Sequence, residues 1–76
     1  MTNMEFYRRY RGLSQDGVAR RVGITQQYYA RLEKRTQTNC SQNILRKIAV
    51  LLMIDVANLA ELFEDYVDSK TLPNTN

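Results

Sequence analysis

Gln26, Gln27 and Arg31 are spaced so that a helix would bring them to one side. On a wheel at about 100° per residue, residues 26–34 divide into two faces. Gln26, Gln27, Ala30, Arg31 and Lys34 form a polar, basic face, and Tyr28, Tyr29 and Leu32 form an apolar one. Glutamine carries both a donor and an acceptor and can pair bidentately with an adenine edge, and arginine can do the same with guanine O6 and N7. Ala30 contributes by being small: the helix backbone could come close to base pairs, and its methyl could touch that of a thymine. The same residues also describe an ordinary solvated helix face, so the elements around them decide between the two.

Those elements are two short helix patterns hinged on Gly23, within residues 14–33. The first opens at Ser14, whose hydroxyl can accept from an unpaired backbone N–H of the first turn, and places Val18, Ala19 and Val22 on one side. The second opens at Thr25, another good N-cap, and runs towards Lys34. Between them, Gly23 and Ile24 form a turn short enough to force a fixed crossing, with glycine where positive φ is needed. The unit reads as a helix-turn-helix, a form that offers its second helix to the major groove of DNA.

These residues resemble the Cro and C1 repressor type of helix-turn-helix found in lambdoid-phage repressors. The resemblance rests on Leu13-Ser14-Gln15, Val18-Ala19, Val22-Gly23-Ile24-Thr25, Leu32-Glu33, then Ile48-Ala49 and Leu52, and covers most of residues 5–62. Thr25-Gln26-Gln27 also looks like the start of the recognition helix in one branch of these repressors. The resemblance implies base contacts from Gln26, Gln27 and Arg31 and phosphate contacts from Ser14 and Gln15, with Lys34 and Arg8 as further phosphate candidates. It also implies a partly buried pair between Arg8 and Glu33, tying the first helix to the end of the third. Such a pair positions the recognition helix more than it stabilises the fold, because desolvating both charges offsets much of their attraction.

The chain departs from that family pattern in three places. Arg35 stands where a glycine is common, the proline often found ahead of the fourth helix is missing, and the loop at residues 35–41 is slightly long. Gly17, inside the second helix, costs about 1 kcal/mol relative to alanine. It either leaves room for a close approach by another helix or by a phosphate, or costs stability without benefit.

The formal charge of +3 hides a division. Residues 1–54 hold ten Lys/Arg against three acidic residues, a balance of +7, whereas residues 55–76 hold one lysine and five acidic residues, a balance of −4. The basic part carries the helix-turn-helix, as phosphate attraction requires, and the acidic part is expected to face away from DNA. Arg20 and Arg21 fit either a phosphate contact or a solvated surface.

With 76 residues the chain has room for one core. The expected fold class is all-α: a five-helix Cro/C1 repressor-like domain over residues 1–69, with the helix-turn-helix at the second and third helices and a loose tail at 70–76. Thr2 and Glu5 have capping-box spacing, Phe6 and Tyr10 give the first helix an apolar edge, and Gly12 closes it. Ser41 can cap a fourth helix in which Ile44, Leu45, Ile48, Leu51 and Leu52 recur with helical period, and Met53 and Ile54 read as packing around the next turn. Asp55 can cap a fifth helix, along which Val56, Leu59, Leu62, Phe63, Tyr66 and Val67 fill more of a face than one small core needs. That excess suggests a homodimer contact through Phe63 and Tyr66; the alternative is that both fold back on the first helix.

Other function classes find little support. The chain has no histidine, no phosphate-cradling glycine loop and no cluster with metal-ligand spacing, so neither an enzyme nor a cofactor or metal site is indicated. The adjacent carboxylates of Glu64 and Asp65 would diverge on a helix. Cys40 is the sole cysteine and reads as an incidental thiol. The N-terminal stretch has no apolar signal region, and the longest apolar run, residues 48–54, is far short of the roughly 20 residues a membrane span needs. The expectation is a cytoplasmic regulator of transcription from a bacterium or mobile element, most simply a repressor, binding double-stranded DNA at a palindromic operator as a homodimer. The rival is a protein-interaction module, such as an antitoxin or adaptor, on the same fold.

Overall fold

Four α-helices and one 3-10 segment wrap a single core in the computed structural model, which describes residues 1–67. The domain end expected at 69 and the tail at 70–76 lie outside the described residues. The helices are α1 (Asn3–Tyr10), α2 (Gln15–Val22), α3 (Gln26–Glu33) and α4 (Gln42–Leu52). Each begins at a residue chosen for the purpose: the hydroxyls of Thr2, Ser14, Thr25 and Ser41 accept from the backbone N–H groups of Glu5, Gly17, Tyr28 and Ile44. Helices of 8 to 11 residues are marginal by themselves, so their packing must hold them.

That packing centres on Met4, Val18, Tyr29, Leu32, Ile48, Leu52 and Leu62, all fully buried. Every element therefore supplies at least one side chain to the same core. Leu13, Ile24, Ile44 and Leu51 pack partly buried around it. Met53 differs from its expected packing role: it is 72% exposed and takes a left-handed conformation with φ 61. It ends α4 in the place usually given to glycine, letting Ile54 N–H return to the Ala49 carbonyl at 2.8 Å and Ile54 enter the core.

The expected fifth α-helix is not formed. Asp55 turns the chain by accepting from the Ala57 N–H at 2.9 Å, residues 59–63 form the 3-10 segment Leu59–Phe63, and Glu64 is already extended. The chain then runs antiparallel to the N-terminus through a single bridge between Thr2 and Asp65. Asn3 N–H donates to the Glu64 carbonyl at 2.7 Å and Tyr66 N–H to the Met1 carbonyl at 2.9 Å. The physical reason is that α1 begins with amides that have no partner within the helix, and the extended segment supplies one. Apolar spacings of three and four suit either helix type, so the sequence pattern did not distinguish them.

Candidate nucleic-acid interface

Helix α2 stops at Gly23, which takes φ 84 and returns its N–H to the Ala19 carbonyl. Ile24 N–H reaches the same carbonyl at 3.0 Å, and Thr25 then starts α3. Two residues thus reverse the chain with their amides satisfied. The crossing is held from below by Tyr29 and Leu32, both fully buried.

The opposite side of α3 is open. Gln26, Gln27, Arg31 and Lys34 are exposed, and Ala30 is half-buried between them. Among the described residues Gln26, Gln27 and Arg31 make no side-chain hydrogen bond or ion pair, so their donors and acceptors are available to a ligand. Lys34 lies 3.7 Å from a Glu5 carboxylate oxygen, with its side chain 65% exposed. Ser14, also exposed, accepts from Gly17 N–H at 2.9 Å at the start of α2. No other helix approaches Gly17: an added Cβ would meet only the Ser14 hydroxyl at 3.1 Å and Arg21 Nη1 at 3.3 Å, at the start of α2.

Beneath this surface is a polar network around Glu33, which is 1% exposed. Arg8 Nε donates to Glu33 Oε2 at 2.5 Å, Arg8 Nη2 to Oε1 at 3.3 Å, and Gln15 Nε2 to Oε1 at 3.0 Å. The Glu33 carbonyl accepts from the Thr2 hydroxyl at 2.9 Å. One residue at the end of α3 is therefore joined to α1 and α2. Burial opposes the charge on Arg8, but the hydrogen bond and charge of Glu33 outweigh it and hold the guanidinium ionised above its ordinary range. The Tyr29 phenol is pushed well above its usual value by burial and then by the negative charge of Glu33. Its hydroxyl is buried without a hydrogen-bond partner among the described residues.

This network bears on one phosphate candidate. Arg8 is 8% exposed, and three of its five guanidinium N–H donors are engaged, two by Glu33 and one by the Leu13 carbonyl at 2.9 Å, which leaves it less able than Ser14 or Lys34 to meet a phosphate. Gln15 is half-buried and gives one amide hydrogen to Glu33, keeping the other. The proposed dimer residues are also partly engaged within the chain. Tyr66 stacks on Phe6 with ring centroids 3.5 Å apart, and Phe63 packs against the core.

Two functional supports were missed in the sequence. Thr2 reaches Glu33 across 31 positions, which no local pattern signals. Arg35 takes φ 63 after α3, donates to the Phe63 carbonyl at 3.3 Å and pairs with Asp65 at 3.0 Å. Its place where similar repressors carry glycine was the available signal for the positive φ.

A family model described as a helix-turn-helix domain matches residues 6–62. The chain belongs to the Cro/C1-type helix-turn-helix family. This helix-turn-helix chain is similar to the N-terminal DNA-binding domain of SinR from Bacillus subtilis, at 30% identity and a TM-score of 0.65, covering 75% of this chain and 83% of that one. It is also similar to the master regulator for biofilm formation SinR, solved in complex with DNA, at the same identity and TM-score, covering 75% of this chain and 90% of that one. No curated protein sequence matches it. No helix among the described residues of this family member is long and apolar enough to cross a membrane.

Proposed function

We propose that the protein is a sequence-specific DNA-binding regulator of transcription, acting as a repressor inside the cell. The observation that carries this reading is the outward strip of α3, where Gln26, Gln27 and Arg31 stand exposed around the small Ala30. Gln26 and Gln27 read adenine edges and Arg31 reads guanine, while Ser14, Gln15 and Lys34 hold the flanking phosphates. The SinR complex with DNA supports duplex DNA as the ligand of this fold. The +7 balance of residues 1–54 supplies the non-specific attraction that precedes base reading.

A single α3 covers only a few base pairs, so the reading includes a homodimer on a palindromic operator, with recognition helices roughly 34 Å apart. The half-exposed edges of Phe63 and Tyr66 form part of that contact. Selection of bound sites from a random duplex pool tests the whole proposal. A two-fold symmetric motif spaced by one helical turn is expected. Recovery of no enriched motif, with binding that depends on salt alone, would refute it.

A further inference from the structure

We infer that the groove between the C-terminal end of α2 and the middle of α4 docks an acidic amphipathic helix from a partner protein. It is lined by the apolar Val22, Val50 and Leu51 and bordered by Arg46, Lys47 and the stem of Arg21. The opposite side of α4 is anchored in the core by Leu45, Ile48, Ala49 and Leu52, so the groove has a rigid base. Val50 nevertheless remains 66% exposed on this otherwise well-packed helix.

The rim is electrostatically unanswered. Among the described residues the ion pairs are made by Arg8, Arg9, Arg20, Lys34 and Arg35, and none by Arg21, Arg46 or Lys47. Arg21 turns its guanidinium back toward the start of α2, where Nη1 donates to the Gly17 carbonyl at 3.1 Å, so its stem borders the groove while the charge at the groove comes from Arg46 and Lys47. Two unpaired cations beside an apolar strip suit a ligand that brings carboxylates and aliphatic side chains together. A helix with leucines at i and i+4 and glutamates beside them does so. Duplex DNA would satisfy the rim and leave the apolar floor unmatched. The groove also lies at the end of α2 opposite Ser14, where the proposed DNA contacts begin.

The test is titration of a fluorescein-labelled designed helix of about 15 residues with that leucine and glutamate pattern, followed by fluorescence anisotropy and by amide NMR shifts of the isotope-labelled chain. Saturable binding is expected, with the largest shifts at Val50 and Leu51. The double variant Arg46→Glu/Lys47→Glu should bind at least about tenfold more weakly, as should Val50→Asp, and both should keep the circular dichroism spectrum of the parent. A peptide of the same composition with its pattern scrambled should also bind at least about tenfold more weakly. Equal binding of the parent and the double variant would overturn the assignment. So would a duplex oligonucleotide that shifts Val50 and Leu51 and displaces the peptide, which would make the groove a DNA surface. Self-association of the parent that Arg46→Glu/Lys47→Glu abolishes would equally overturn it, by making a second copy the occupant.

Discussion

Arg8 and Glu33, separated by 25 positions, meet in a buried two-pronged ion pair that ties α1 to the last turn of α3. Because Gln15 donates to the same carboxylate, all three helices around the candidate DNA surface share one acceptor. Removing one partner strands the other charge in the core. Glu33→Ala is expected to cost about 3–5 kcal/mol, read by urea unfolding. The double variant Arg8→Met/Glu33→Leu should recover most of that stability but bind operator DNA more weakly than the parent. Undiminished affinity in a folded double variant would show that the pair does not position α3.

The exposed strip of α3 yields a separable pair of effects. Gln27→Ala and Arg31→Ala should each cost about 1–3 kcal/mol of binding and relax the preference at one base position. Lys34→Ala should weaken all duplexes alike and reduce the salt slope by about 1. Binding measured on operator and scrambled duplexes at several salt concentrations checks both. Unaltered affinity and preference in Gln27→Ala and Arg31→Ala would remove the base-reading assignment.

The buried Tyr29 hydroxyl lacks a hydrogen-bond partner among the described residues. Tyr29→Phe removes that unpaired group and is therefore expected to raise stability at neutral pH by about 1–3 kcal/mol. The difference should widen in alkali. The unfolded phenol ionises near pH about 10, while burial and Glu33 keep the folded one protonated well above that. The folded state then holds the extra proton, so this contribution to stability declines as pH rises beyond about 10, at about 1.4 kcal/mol per pH unit. Unfolding curves of parent and Tyr29→Phe across that range should diverge in this direction.

Met53 and Arg35 both occupy left-handed backbone, at φ 61 and φ 63. Met53 is exposed, so Met53→Gly should stabilise by about 1 kcal/mol. Arg35→Gly relieves the same strain but removes the contacts to Asp65 and the Phe63 carbonyl, and should leave stability within about 0.5 kcal/mol of the parent. Thermal unfolding of the two variants side by side tests the contrast.

Tyr66 caps an aromatic stack with Phe6 and Tyr10. Tyr66→Ala should loosen the C-terminal segment more than the rest of the molecule. Faster hydrogen exchange at Asn3 N–H, whose acceptor is the Glu64 carbonyl, is expected while core amides of α4 keep their protection. Uniform acceleration throughout would mean that the segment is part of the main cooperative unit.

Local chemistry determined much of this protein from its sequence. Thr2, Ser14, Thr25 and Ser41 start helices because a short side-chain oxygen can meet a nearby amide, and Gly23 ends α2 because it tolerates positive φ. The two faces of α3 followed from its period alone, which is why Tyr29 is buried and Gln27 exposed. The Arg8–Glu33 pairing was readable through resemblance rather than from local pattern. Tertiary structure decided the rest. Whether residues 59–67 continued as helix depended on pairing with the distant start of α1, where Asn3 N–H meets the Glu64 carbonyl, and how far Arg8 is enclosed depended on Glu33 and Leu13. Both outcomes turn on partners far away along the chain, and periodicity carries no record of them.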